Sequence, residues 1–137
     1  MNPQNFTHKS QEALQRASQI AQENGQPQVE PPHLFSALLE DESGLVVSVF
    51  KKLNVNLPEA RAQVERLLGA LPKQFGASPA GGLGQIMLGP AMMYILQSAQ
   101  NEAQKMGDEY ISVEHLLLAY LTNKNPVSDA LSQQGAQ

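Results

Sequence analysis

LQRASQIAQENG, residues 14–25, decides the fold, because it returns 82 residues later as LQSAQNEAQKMG, residues 96–107. Leu14, Gln15, Ala17, Ala21, Gln22 and Gly25 meet the same residue types at Leu96, Gln97, Ala99, Ala103, Gln104 and Gly107. The register continues without a gap through His33 with His115, Leu34 with Leu116, Ala37 with Ala119 and Leu39 with Leu121. That makes ten identities in 34 aligned positions, where unrelated chains of this composition would share about two. A duplicated unit is the simplest account.

The unit reads as helices. Ala13, Leu14, Ala17, Ile20 and Ala21 recur at helical spacing from about Phe6 to Asn24, with polar residues between them. Thr7 is placed to cap the start, and Gly25 to end the helix in a left-handed conformation. EPPHLFSALLED (30–41) follows as a short buried helix, its Pro31 and Pro32 lying in the first turn, where a missing N–H costs nothing. After Gly44 a third helix carries Leu45, Val46, Val49, Phe50 and Leu53. A fourth runs through NVNLPEARAQVERLLGAL (54–71), with Asn56 or Leu57 ahead of Pro58 and an apolar face of Ala60, Val64, Leu67, Leu68 and Leu71.

PKQFGASPAGGLG (72–84) leaves no helical face and reads as a linker of about 72–87. Beyond it Pro90 opens a helix, Gly107 closes it, and another begins after Ser112. The expected architecture is therefore all-α: two pseudo-twofold-related copies of a four-helix repeat, about 6–71 and 88–135, in one domain spanning 1–137. Each copy has an apolar face that it cannot cover alone, so the two should pack together and leave a seam or groove.

Composition narrows the function. The apolar residues are mostly Ala, Leu, Val and Met, with no Trp, which favours helix over sheet. With no Cys there is no disulfide framework, thiolate zinc site or cysteine nucleophile, and a reducing, cytoplasmic setting is expected. The formal charge of −4 is spread along the chain and argues against nucleic acid as a partner. No apolar run approaches the roughly 20 residues of a membrane span, and MNPQNFTHK lacks the apolar core of a signal peptide.

The motifs of common chemistries are missing. Gly81, Gly82 and Gly84 are followed by no Lys, so GxxxxGK[ST] does not occur and no ATP hydrolysis is expected of this chain. His33 and His115 have no second His four residues away. Their equivalence under the repeat points to a shared structural task, an imidazole hydrogen bond near a helix start, rather than to a metal. No nucleophile elbow occurs, and neither catalytic residues nor a cofactor are expected here. Met92 shares a helical face with Ile95, Leu96 and Ala99 and reads as core, whereas Met93 points about 100° away and reads as partly exposed.

FTHKSQEAL (6–14) with EPPHLFSALL (30–39), and QNEAQKMGDEYISVEHLLLAYL (100–121), resemble the paired Clp N-terminal repeats over nearly the whole chain, most closely those of ClpB-type members. The resemblance implies a non-catalytic domain of a longer, hexameric chaperone, flexibly joined to AAA+ modules that bind ATP and Mg. It implies recognition of exposed apolar segments of unfolded or aggregated proteins. Thr7, Asp108 and Glu114 resemble the family's substrate-handling positions, and Tyr110, Ile111 and Val113 lie between the two acids, suggesting apolar patches with an acidic rim.

Each of the three polar residues has a structural reading as well. Thr7 is a helix cap, Asp108 completes a turn after Gly107, and Glu114 lies at the positive end of its helix. ClpC-type domains carry an acid before the His in both repeats. Here Pro32 takes the first of those places and only Glu114 remains, so a symmetric pair of phosphoarginine sites is not expected. The alternative reading is an adaptor- or substrate-docking domain of a ClpA- or ClpC-type unfoldase.

Overall fold

The computed structural model describes residues 6–41, 43–71, 88–123, 125 and 127. Six helices follow in order: α1 (His8–Glu23), α2 (Pro31–Glu40), α3 (Leu45–Lys52), α4 (Leu57–Ala70), α5 (Pro90–Lys105) and α6 (Val113–Thr122). The first four belong to the first copy of the repeat, and α5 and α6 to the second. Val127, the counterpart of Leu45 at the start of α3, is helical and buried. The expected linker at 72–87 lies outside the described residues.

Helix ends form where side chains or glycine satisfy orphan backbone groups. The Thr7 hydroxyl accepts the Ser10 N–H at 3.2 Å, and the side-chain Oδ1 of Asn56 accepts the Glu59 N–H at 3.1 Å. At the end of α1, Gly25 adopts φ 68°, and Gln26 N–H reaches back to the Ala21 carbonyl at 2.8 Å. The end of α5 repeats this geometry, with Gly107 at φ 74° and Asp108 N–H on the Ala103 carbonyl at 2.9 Å. Both are Schellman closures, and they lie 82 residues apart like the glycines that make them.

The two copies are joined by an exchange that obeys the same shift. Phe6 pairs with Ile111 and Val29 with Leu88 in isolated parallel bridges. Phe6 is the counterpart of Leu88, and Val29 of Ile111. The Thr7 N–H donates to the Ile111 carbonyl and the Gly89 N–H to the Val29 carbonyl, both at 3.0 Å. Each copy thus donates the residue before its first helix to the residue ahead of the other copy's second helix, a pseudo-twofold relation written in hydrogen bonds.

Around this exchange α1 packs on α2 and α5 on α6, while α2 also meets α3, α4 and α5, and α3 meets α6. The centre is aromatic. Phe35 of α2 lies edge-on to Tyr120 of α6, with ring centroids 4.9 Å apart, and beside Phe50 of α3 at 5.9 Å. Tyr120 is fully buried, and its hydroxyl donates to the Pro31 carbonyl at 2.6 Å, so a polar bond as well as ring packing joins the copies. Met92 is buried and Met93 half-exposed, as helical geometry requires. Met106 is also exposed, and Met87 lies outside the described residues.

His33 carries out the structural task expected of it. Its Nδ1 accepts the N–H of Glu30 at 2.8 Å, and its Nε2–H donates to Gln26 Oε1. The Gln26 amide in turn donates to the Leu68 carbonyl near the end of α4 at 2.7 Å. His33 and Gln26 are both buried, and this relay satisfies them while tying the turn after α1 to α2 and α4.

Candidate functional site

Where α1, the end of α2, the start of α3 and the start of α6 converge, they leave a groove of about 810 Å³. Ala13, Ala37, Leu38, Val46 and Val113 give it an apolar surface, and Lys9, Glu12, Arg16, Glu40, Asp41 and Glu114 line it with charge. Residues 9, 12, 13 and 16 reach it together because spacings of three and four keep one face of α1 toward it. Ala17 and Ala21, on the adjoining flank, and Ile20, one turn beyond Arg16, are buried in the core.

Of the residues singled out in the sequence, Thr7, Val113 and Glu114 line this groove. The inter-copy exchange brings Thr7 to α6 by tying its backbone to Ile111. The Thr7 hydroxyl also donates to Ser10 Oγ at 3.0 Å, so its capping role is realised. Tyr110 is 54% exposed but does not line the groove. Ile111 corrects the sequence reading: it is 2% exposed, packed under Phe6 by the bridge, and unable to meet a ligand without breaking the joint between the copies.

Asp108 also lies outside the groove lining and has a defined structural partner. His115 Nδ1 accepts the Ser112 N–H at 2.9 Å, and Nε2–H donates to Asp108 Oδ2 at 2.9 Å. The pattern duplicates that of His33, with Asp108 in the place of Gln26 and Ser112 in that of Glu30. Asp108 is nonetheless exposed, and its carboxylate and that of Glu114 approach within 4.8 Å of each other and of His115 Nε2.

Those three groups have the composition of a metal site, but the hydrogen bonds fix the tautomer against one. A ring whose Nδ1 accepts an N–H carries its own proton on Nε2, which leaves no lone pair there for a cation. The sequence Ser112, His115, Asp108 is likewise not a nucleophilic triad. Ser112 Oγ lies 3.1 Å from Nδ1, but that nitrogen's lone pair is already engaged by the Ser112 N–H, so no base faces the hydroxyl.

The groove's charges are partly compensated. Arg16 is bidentate on Glu40, at 2.8 and 3.0 Å, and Lys9 lies 3.8 Å from Asp41. Glu12 forms no ion pair among the described residues, and Glu114 reaches only His115 Nε2 at 3.9 Å. Neither Glu12 nor Arg16 stood out in the sequence, where both read as polar filler on an amphipathic helix. The signal available was the stripe Lys9, Glu12, Arg16 along one face.

The fold and groove define a class: a duplicated all-helical domain with a partly apolar groove at the junction of its copies. The chain belongs to the Clp repeat N-terminal domain family, whose pattern matches residues 5–134. It is 35% identical over 136 residues to the chaperone protein ClpB of Porphyromonas gingivalis, and 36% identical over 135 residues to that of Bacteroides thetaiotaomicron. These alignments cover 99% and 98% of this chain and 15% of each relative. The chain therefore spans about 15% of the length of the curated relatives it matches.

The crystal structure of the Hsp104 N-terminal domain from Candida albicans superposes with a TM-score of 0.82 at 21% identity, covering 97% of this chain and 83% of that one. A complex of the ClpV N-domain with a VipB peptide superposes with a TM-score of 0.73 at 19% identity, covering 96% and 78%. At these identities the likeness carries the fold alone. Among the described residues no helix is long and apolar enough to cross a membrane.

Proposed function

We propose that this domain recognises substrates for a ClpB-type ATP-dependent disaggregase, binding exposed apolar segments of unfolded or aggregated proteins. The observation that carries the reading is the groove, which joins an apolar surface to Thr7 and Glu114 at the junction of the two copies. Identities of 35 and 36% to ClpB chaperones support the type. In this reading the domain is non-catalytic and cytoplasmic, and ATP and Mg are bound by AAA+ modules of the same polypeptide, which form the hexamer. A groove that must release varied clients to a motor binds weakly, at about micromolar to millimolar.

Titrating an apolar, weakly basic peptide into the ¹⁵N-labelled domain tests this directly. Shifts at Thr7, Val113 and Glu114 are expected, and shifts confined to the exposed face of α4 would refute it. A docking role in an unfoldase of another Clp type is the second reading, favoured by the likeness of fold to ClpV and ClpD N-domains. Pro32 and the ClpB relatives weigh against it. A coiled-coil insertion in the first ATPase module would mark the disaggregase type.

A further inference from the structure

The pseudo-twofold supplies an internal control for the groove. Under the 82-residue shift, Glu12 corresponds to Tyr94, Arg16 to Ser98, Glu40 to Thr122 and Glu114 to Pro32. Duplication has therefore left one face charged and its mate almost without formal charge. The exception on the second face is Glu30, the counterpart of Ser112. Its carboxylate fills the space beside Gly89, where a Cβ would lie 2.5 Å from both of its oxygens, so a threonine like Thr7 there would require that carboxylate to move aside. That carboxylate is spent on packing; those of Glu12 and Glu114 are not.

Lys9 and Arg16 are engaged by Asp41 and Glu40, so the groove's uncompensated charge is negative and sits on Glu12 and Glu114, from α1 and α6. Asp108, within 4.8 Å of Glu114, deepens the negative potential at the α6 end. We propose that Glu12 is a specificity-determining residue: with Glu114 it makes this groove select apolar segments flanked by Lys or Arg, while the mate face, whose one carboxylate at Glu30 packs beside Gly89, makes no such distinction. The inference rests on the function proposed above and adds to it a charge rule and the residue that enforces it. An exposed carboxylate facing a mobile ammonium contributes little by itself, a few-fold in affinity. Two such groups at one groove give a preference of about tenfold at low salt.

The test uses two peptides with the same apolar centre, one flanked by Lys and the other by Gln, titrated by fluorescence anisotropy and followed by amide shifts. The Lys-flanked peptide is expected to bind about tenfold tighter at low salt, with shifts at Glu12 and Glu114 and none at Tyr94. Glu12→Gln should cut that ratio to about threefold. Glu65→Gln, which removes the same net charge from α4 outside the groove, should leave it whole. A ratio near one in the wild type, or one that Glu12→Gln does not reduce, overturns the charge rule while leaving the proposed function standing if both peptides shift the groove. Shifts from both peptides elsewhere overturn the proposed function itself, and this inference with it.

Discussion

Acidification is expected to weaken this fold through His33. The ring is fully buried, and a second proton could go only onto Nδ1, where it would oppose the N–H of Glu30. Burial lowers the ring's pKa from 6.5 to about 4. The unfolded ring takes up its proton near pH 6.5, whereas the folded ring stays neutral to about pH 4, so the unfolded state binds more protons between those values. The contribution of the neutral ring is therefore whole above about pH 6.5, declines as the pH falls toward 4, and is lost below that. At about 1.4 kcal/mol for each tenfold step, the limit is about 3 kcal/mol. About 2 kcal/mol of it is lost by pH 5, or about 1 to 2 kcal/mol once the fold relaxes around the charged ring.

Urea denaturation of the wild type and of His33→Asn, from about pH 7.5 to 5, isolates this term, because asparagine does not titrate there. The variant leaves Gln26 Oε1 without its donor and is expected to be about 2 kcal/mol less stable at neutral pH. The gap should then close by about 1 to 2 kcal/mol at pH 5. A gap independent of pH, or an NMR titration of the His33 ring with a midpoint above 6, would refute the reasoning.

Three further outcomes follow from the same bonds. Tyr120→Phe keeps the ring contacts but removes the hydroxyl on the Pro31 carbonyl, and should cost about 1 to 2 kcal/mol in chemical denaturation with no change in helical circular dichroism. Gly107→Ala meets no atom within 4 Å of its new Cβ, so its expected cost of about 1 kcal/mol is backbone strain at φ 74°, and Gly107→Asn should recover part of it. Asp108→Asn retains an acceptor for His115 Nε2–H and should stay within about 0.5 kcal/mol of the wild type, whereas Asp108→Ala should lose about 1 kcal/mol; equal losses would show that the bond contributes nothing.

The duplication, the four helices of the first copy, the openings of α5 and α6, and the caps at Thr7, Gly25 and Gly107 were all legible in the sequence, which left Asn56 and Leu57 as alternatives ahead of Pro58. Helix periodicity and capping are local, set by residues within a few positions of one another, and a chain of amino acids states local chemistry openly. The shared task of His33 and His115 was legible for the same reason, since each ring bonds an amide three residues before it. Their outer partners, Gln26 and Asp108, each stand seven residues before the histidine and were not.

What only the tertiary structure decided is which face of each element meets the other copy. Ile111 sits between two acids in the sequence, yet the bridge to Phe6 makes it part of the joint. Glu12 looked like ordinary solvated helix, yet α2, α3 and α6 close around its stripe and make it part of a groove. These outcomes depend on pairings across about 60 to 105 positions, Val29 with Leu88 and Phe6 with Ile111 among them, and side chains that far apart acquire a common surface only when the core fixes their distance.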